Sequence, residues 1–235
     1  MSKLPEPFSP ANQPIARQPV QNRWNPKPAQ PPILEPTQFQ KEIEQVIQGL
    51  DVVMGIDPGF ASLGVSVIGR PTQGKIQLLH MGMVATQKAK KKERVNLRVT
   101  NDDQRRYDEI YDALELLRQR FRPTAVGVEA YHPHVKAASG WKTAVVYGGI
   151  MFWSKAVNIY CAPYVPQDLK RRFCGNQSGS KPEVASAATQ LVEGASAAYL
   201  ATNKTDQEHV GDSLGHAILV LEEIDRVRKI VRGMP

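Results

Sequence analysis

Only two cysteines, Cys161 and Cys174, occur in the 235 residues. Two thiols build neither a disulfide framework nor a four-cysteine zinc site, and they point to a reducing compartment. No apolar run approaches the ~18 residues that a membrane span needs. A compact apolar stretch is missing from the N-terminus, so a secretory signal is not expected. Internal repeats are missing too. These absences favour a soluble, intracellular protein that makes no membrane contact. Acids are outnumbered: 23 Asp and Glu face 30 Lys and Arg, a formal net charge of +7. That excess favours a polyanionic partner such as nucleic acid. Hydrophobic residues make up 41% of the chain, sufficient for one packed domain with additions.

Proline is unevenly spread. Ten of the 18 prolines fall within the first 36 residues, with Gln and Asn between them. Proline removes backbone donors, and few apolar groups remain there to offset the entropy of ordering. Residues 1–36 are expected to be a disordered tail, either a solubilising leader or a tether for a protein partner through Trp24 or its Pro-rich segments. "TQFQKEIEQVIQGL" (37–50) is expected as a short linker helix, and residues 51–233 as the domain.

From residue 51 the pattern becomes regular. "DVVMGID", "SLGVSVIG" and "KIQLLHMGMVAT" read as three strands with short connections, hence antiparallel neighbours. Residues 101–121 form an amphipathic helix, with Tyr107, Ile110, Tyr111, Leu114, Leu117 and Phe121 at three-and-four spacing. "TAVGVEAY" (124–131) is a fourth strand, 139–157 a helix and "NIYCAPY" (158–164) a fifth strand. Ser180, Pro182 and Glu183 announce a helix over 180–192 through a capping box. Residues 206–231 form a long closing helix. Three antiparallel strands followed by alternating helices and strands describe an α/β domain with a mixed sheet.

Asp57 stands inside an apolar strand, and Glu129 ends another. A buried carboxylate is costly unless it is paired, protonated or bound to a cation. Neighbouring strands lie about 4.8 Å apart, close enough to bring two such acids together. In "HVGDSLGH", His209, Asp212 and His216 occupy i, i+3 and i+7 of one helical face. His209 and Asp212 form the functional pair in this reading, and His216, two turns in, is a satisfied core or rim histidine. Gathered carboxylates repel, and divalent cations relieve the repulsion. An oxygen-rich donor set suits Mg²⁺ or Mn²⁺, and two such ions can activate water against a phosphodiester.

At these residues the sequence resembles the RuvC family of Holliday-junction resolvases, within the RNase H-like superfamily. "MGIDPGFASLGVSVI", "AVGVEAY", "PQDLKRRFCGNQSGSKPEV" and "HVGDSLGHAI" match its segments in order over about residues 51–222. The resemblance implies an RNase H-like mixed sheet. It implies two Mg²⁺ ions per site, with Mn²⁺ able to substitute, held by Asp57, Glu129, His209 and Asp212. His209 stands where many members carry Asp, and its imidazole favours Mn²⁺ over Mg²⁺. Lys181 would sit at the scissile phosphate or the adjoining DNA backbone, stabilising developing charge, and Lys170, Arg171 and Arg172 would hold the backbone. A homodimer would nick opposing strands of a four-way junction symmetrically, leaving 5′-phosphate and 3′-hydroxyl ends.

Where family members carry a stacking aromatic, this chain offers Tyr131 and His132; either stacks on an unpaired base or fills space. Lys90, Lys91 and Lys92 in "KAKKKER" either grip a DNA arm or form a solvated loop. The helix over 139–157 is the candidate dimer face, through an exposed Trp141 or Trp153, or else an ordinary core helix. Three rival readings are an actin-like or sugar-kinase ATPase, a nuclease acting on flaps, forks or other branched DNA, and a branched-DNA binder that does not cut. The ATPase needs a second phosphate loop, and none is found.

Overall fold

The computed structural model describes residues 50–89, 99–132 and 140–231. The expected tail over 1–36, the linker helix up to residue 49 and the basic run Lys90, Lys91 and Lys92 lie outside these residues. Leu50, the expected end of that helix, opens a strand instead.

Strand β1 (Leu50–Asp57) pairs antiparallel with β2 (Ser62–Pro71), which pairs antiparallel with β3 (Ile76–Ala85). Helix α1 (Val99–Phe121) leads to β4 (Ala125–Glu129), which joins β1 in parallel. Helix α2 (Gly140–Ala156) leads to β5 (Tyr160–Tyr164), parallel to β4. Helices α3 (Pro166–Cys174) and α4 (Lys181–Leu191) follow, then β6 (Val192–Glu193), which runs parallel to β3 at the opposite edge. Helices α5 (Ala195–Ala201) and α6 (Lys204–Val231) close the chain. The sheet order is β5-β4-β1-β2-β3-β6, the mixed α/β arrangement expected.

Two cores follow from the two-residue period of strands. Val52, Met54 and Ile56 of β1 face α1 and α2, packing with Ile110, Leu114, Val146 and Ile150. Val53 faces the other way, into the core that holds Leu214, Ala217, Ile218 and Leu221 of α6. Alternation therefore puts Gly55 and Asp57 on the α6 side as well. In β4, Val126 and Val128 take the first face and Ala125 the second, so Glu129 also falls on the α6 side. Both acids end their strands, at the same rim of the sheet.

The seat of α6 is unusually close. A Cβ on Gly55 would collide with the Ser213 carbonyl and the Ala217 amide, and one on Gly64 with the backbone of His209. Beside them, the Ser66 and Ser213 hydroxyls lie 2.8 Å apart, buried between sheet and helix. Farther along, Arg70 bridges Asp51 and Asp225, and Arg228 reaches Asp51 at 2.5 Å. This ion network clamps the C-terminal half of α6 to β1 and β2.

The expected capping box opens α4: the Ser180 amide donates to Glu183 at 2.7 Å, and the Ser180 hydroxyl accepts from the Glu183 amide at 3.4 Å. Helix α3 occupies what the sequence presents only as a connecting segment. It forms because Pro166 sits in its first turn, Asp168 accepts from the Val165 amide at 3.0 Å, and Gly175 ends it at φ 72°. Trp153 is not exposed; it packs toward the α1 core, and its indole N–H donates to Glu115 at 3.3 Å. Trp141 is 56% exposed. Among the described residues, no helix is long and apolar enough to cross a membrane.

Candidate active site

Asp57, Glu129 and Asp212 come from β1, β4 and α6, and each offers a carboxylate oxygen within 4.8 Å of the others. Asp57 and Asp212 are buried, while Glu129 is partly open. His209 sits beside this cluster, its Nδ1 2.6 Å from Asp57 Oδ2. Lys181, the first residue of α4, places Nζ 3.0 Å from Asp212 Oδ2 and also bonds Glu208. An imidazole and an ammonium group thus lean on three clustered acids.

The electrostatics record the crowding. Burial pushes the Asp57 carboxyl up to about 6; the His209 hydrogen bond opposes this, while the charges of Glu129 and Asp212 add to it. Burial raises Asp212 too, against the pull of Lys181. For Glu129, burial is outweighed by His216, Asp57 and Lys181, which leave its carboxyl below the usual value. The Asp57 hydrogen bond holds the His209 imidazole above its ordinary value. Burial works against the Lys181 ammonium, yet Glu208 and Asp212 keep its pKa above that of free lysine.

A cleft of about 280 Å³ opens over Asp57 and Glu129, lined also by Tyr131, His132, Thr143 and Pro166 among others. Tyr131 and His132 therefore border the acids. The basic residues of α3 divide. Arg171 is exposed, with Asp168 at 3.5 Å, whereas Arg172 is held bidentate by Glu222 at 2.6–3.0 Å. Lys170 is half-buried.

Sequence reasoning missed three contributors. Glu208 holds Lys181. Arg106, buried on α1, lies 3.8 Å over the Phe60 ring and donates to the Thr86 hydroxyl and carbonyl. Thr86 in turn donates to the Phe60 carbonyl at 2.6 Å, so the turn after Asp57 is tied down. The third is His216. It is fully buried, as expected for a core histidine, but it is not satisfied: among the described residues neither ring nitrogen has a hydrogen-bond partner. Its spacing from Asp212 was visible, but its relation to β4 was not.

A family model described as Crossover junction endodeoxyribonuclease RuvC matches residues 53–218. The chain belongs to the RuvC family. Among curated relatives, RuvC of Thermus thermophilus is 30% identical over 137 residues, covering 57% of this chain and 75% of that protein. RuvC of Chlorobium phaeobacteroides is 25% identical over 173 residues, 74% of this chain and 82% of its own length. The solved Thermus thermophilus RuvC structure aligns with TM-score 0.52 at 24% identity, over 71% of this chain and 90% of that one. The same protein in complex with Holliday junction substrate aligns with TM-score 0.55. These alignments support the RuvC fold, and the matched span includes Asp57, Glu129, His209 and Asp212.

Proposed function

We propose that this RuvC-family chain is an endonuclease that resolves Holliday junctions by paired symmetric nicks, leaving 5′-phosphate and 3′-hydroxyl ends. The observation that carries the reading is the convergence of three carboxylates, from β1, β4 and α6, two of which, Asp57 and Glu129, line one cleft.

The donor set fits divalent cations. Carboxylate oxygens with one adjoining imidazole are hard ligands that suit Mg²⁺ and Mn²⁺. Asp57, whose ionisation burial opposes, is stabilised as a carboxylate when a cation is present. Asp57, Glu129 and Asp212 would hold two Mg²⁺ ions, with His209 completing the set once released from Asp57. Bound there, the cations would supply an activated water and stabilise the leaving oxygen. The chain's own groups do the rest. Lys181, at the rim on the first turn of α4, neutralises charge on the scissile phosphate. Arg171 and Lys170 take the neighbouring backbone, and Arg172 joins them by leaving Glu222. Tyr131 or His132 stacks on an unpaired base beside the cleft; such stacking contributes about 1–3 kcal/mol.

Resolution requires two sites. On α2, Trp141, Val145 and Phe152 are exposed at i, i+4 and i+11, Phe152 by 77%. Gly148, at i+7 on the same stripe, has open space before it. A second copy packed on this stripe forms an isologous dimer with paired clefts, and Gly140 and Thr143 of the same helix line the cleft.

The test is incubation of the full chain with labelled four-way, three-way and flap DNA in Mg²⁺, Mn²⁺ or EDTA. Paired cuts in the four-way junction with either cation, and none in EDTA, are expected. Asp57→Asn should bind the junction without cutting it. Cleavage confined to flaps would overturn the resolvase reading, and binding without cleavage in any metal would overturn the nuclease.

A further inference from the structure

The buried face of α6 carries a polar group that the proposed chemistry does not use. His216 has no solvent exposure, and both its ring nitrogens lack partners among the described residues. Leaving such a group unpaired in the interior is unfavourable, and native proteins seldom do it without a reason. An aliphatic side chain would fill the same space with no such cost.

Nε2 points toward the site, 4.0 Å from Glu129 Oε2. That distance is too long for a hydrogen bond. The two partners differ in freedom. The imidazole is enclosed, and Tyr164 stacks on it with ring centroids 6.2 Å apart and planes at 12°. Tyr164 is anchored by its hydroxyl, which donates to Glu223 at 2.5 Å. The Glu129 side chain is 26% exposed, at the end of its strand. His216 is the fixed partner, and Glu129 the movable one.

We propose that His216 is a positioning residue for Glu129. Its Nε2–H takes one Glu129 oxygen as acceptor and leaves the other for the cation. The inference rests on the metal-site reading above. Groups that orient metal ligands in this way are worth about 10–100-fold in metal affinity. Sequence alone hides the role, because His216 lies in an apolar helix stripe where any core residue would stand.

The experiment is Mn²⁺ titration of the full chain by calorimetry, with the thermal midpoint of the metal-free protein as control. His216→Leu should melt at or above the wild-type temperature without metal, yet bind Mn²⁺ about 10–100-fold more weakly. His216→Gln keeps an N–H near the Nε2 position and should recover most of that loss. Unchanged Mn²⁺ affinity in His216→Leu overturns the proposal while leaving the acidic site intact. Absence of Mn²⁺ binding by the wild type overturns both. A readout that needs no variant is the imidazole nitrogen spectrum of the Mg²⁺-saturated wild type. A proton on Nε2 is expected for His216; a proton on Nδ1 alone would refute the role.

Discussion

Asp57 shows how one residue connects stability with function. Its carboxyl is raised from 3.8 to about 6 by burial, among Glu129, Asp212 and His209. Below about pH 4 both folded and unfolded chains hold this proton, and Asp57 costs nothing. As pH rises toward 6, the unfolded chain releases its proton first, so folding weakens, by about 3 kcal/mol in all. The raised pKa of His209 acts in the same direction at higher pH. The metal-free protein should therefore lose thermal stability as pH climbs through this window, and Asp57→Asn should flatten the loss. Thermal midpoints in EDTA from about pH 4 to about pH 8 check this; a wild-type profile matching that of Asp57→Asn would refute it. Lys181 adds a second case. It already holds Asp212 and Glu208, so Lys181→Met should slow cleavage strongly while leaving junction affinity nearly unchanged, as a gel-shift assay beside a cleavage time course would show. Equal losses in both would make Lys181 a binding residue only.

At the scale of elements, the docking of α6 decides whether a site exists. A methyl group on Gly55 meets main-chain atoms of Ser213 and Ala217, which cannot turn aside as a side chain would. Gly55→Ala should destabilise the domain by about 3 kcal/mol and move Asp212 away from Asp57. Denaturant titration should show the first effect, and loss of cleavage in the remaining folded fraction the second. A stable, active Gly55→Ala protein would show that the helix can shift without harm. Much of this element was legible in sequence. Strand alternation placed Asp57 and Glu129 on apolar strands, and i, i+3 spacing paired His209 with Asp212. The rest was not, for physical reasons. Helix α3 spans nine residues with only Leu169 buried, too few for a periodic signal. Strand β6 is two residues long and exists through its pairing with Ile76 and Gln77. Trp141 and Trp153 share one helix, and only the position of α1 decides which of them is covered. His216 needed β4 in place before its neighbour Glu129 could be named.

The described residues form one acidic cluster per chain, whereas the proposed symmetric cutting needs two. The stripe of Trp141, Val145 and Phe152 predicts that a Trp141→Glu, Phe152→Glu double variant sediments as a monomer where the wild type sediments as a dimer. Such a monomer should still bind Mn²⁺ and should nick junctions singly rather than in pairs. A wild type that is monomeric at all concentrations would refute the dimer, and an unchanged dimer in the variant would remove this face from it. The close seat of α6 carries a broader consequence. Gly64 meets the backbone and Cβ of His209, atoms that nearly every amino acid possesses. The frame is thus indifferent to the chemistry displayed above it. Imidazole and carboxylate can be exchanged at position 209, resetting the charge beside the acids, without rebuilding the architecture beneath.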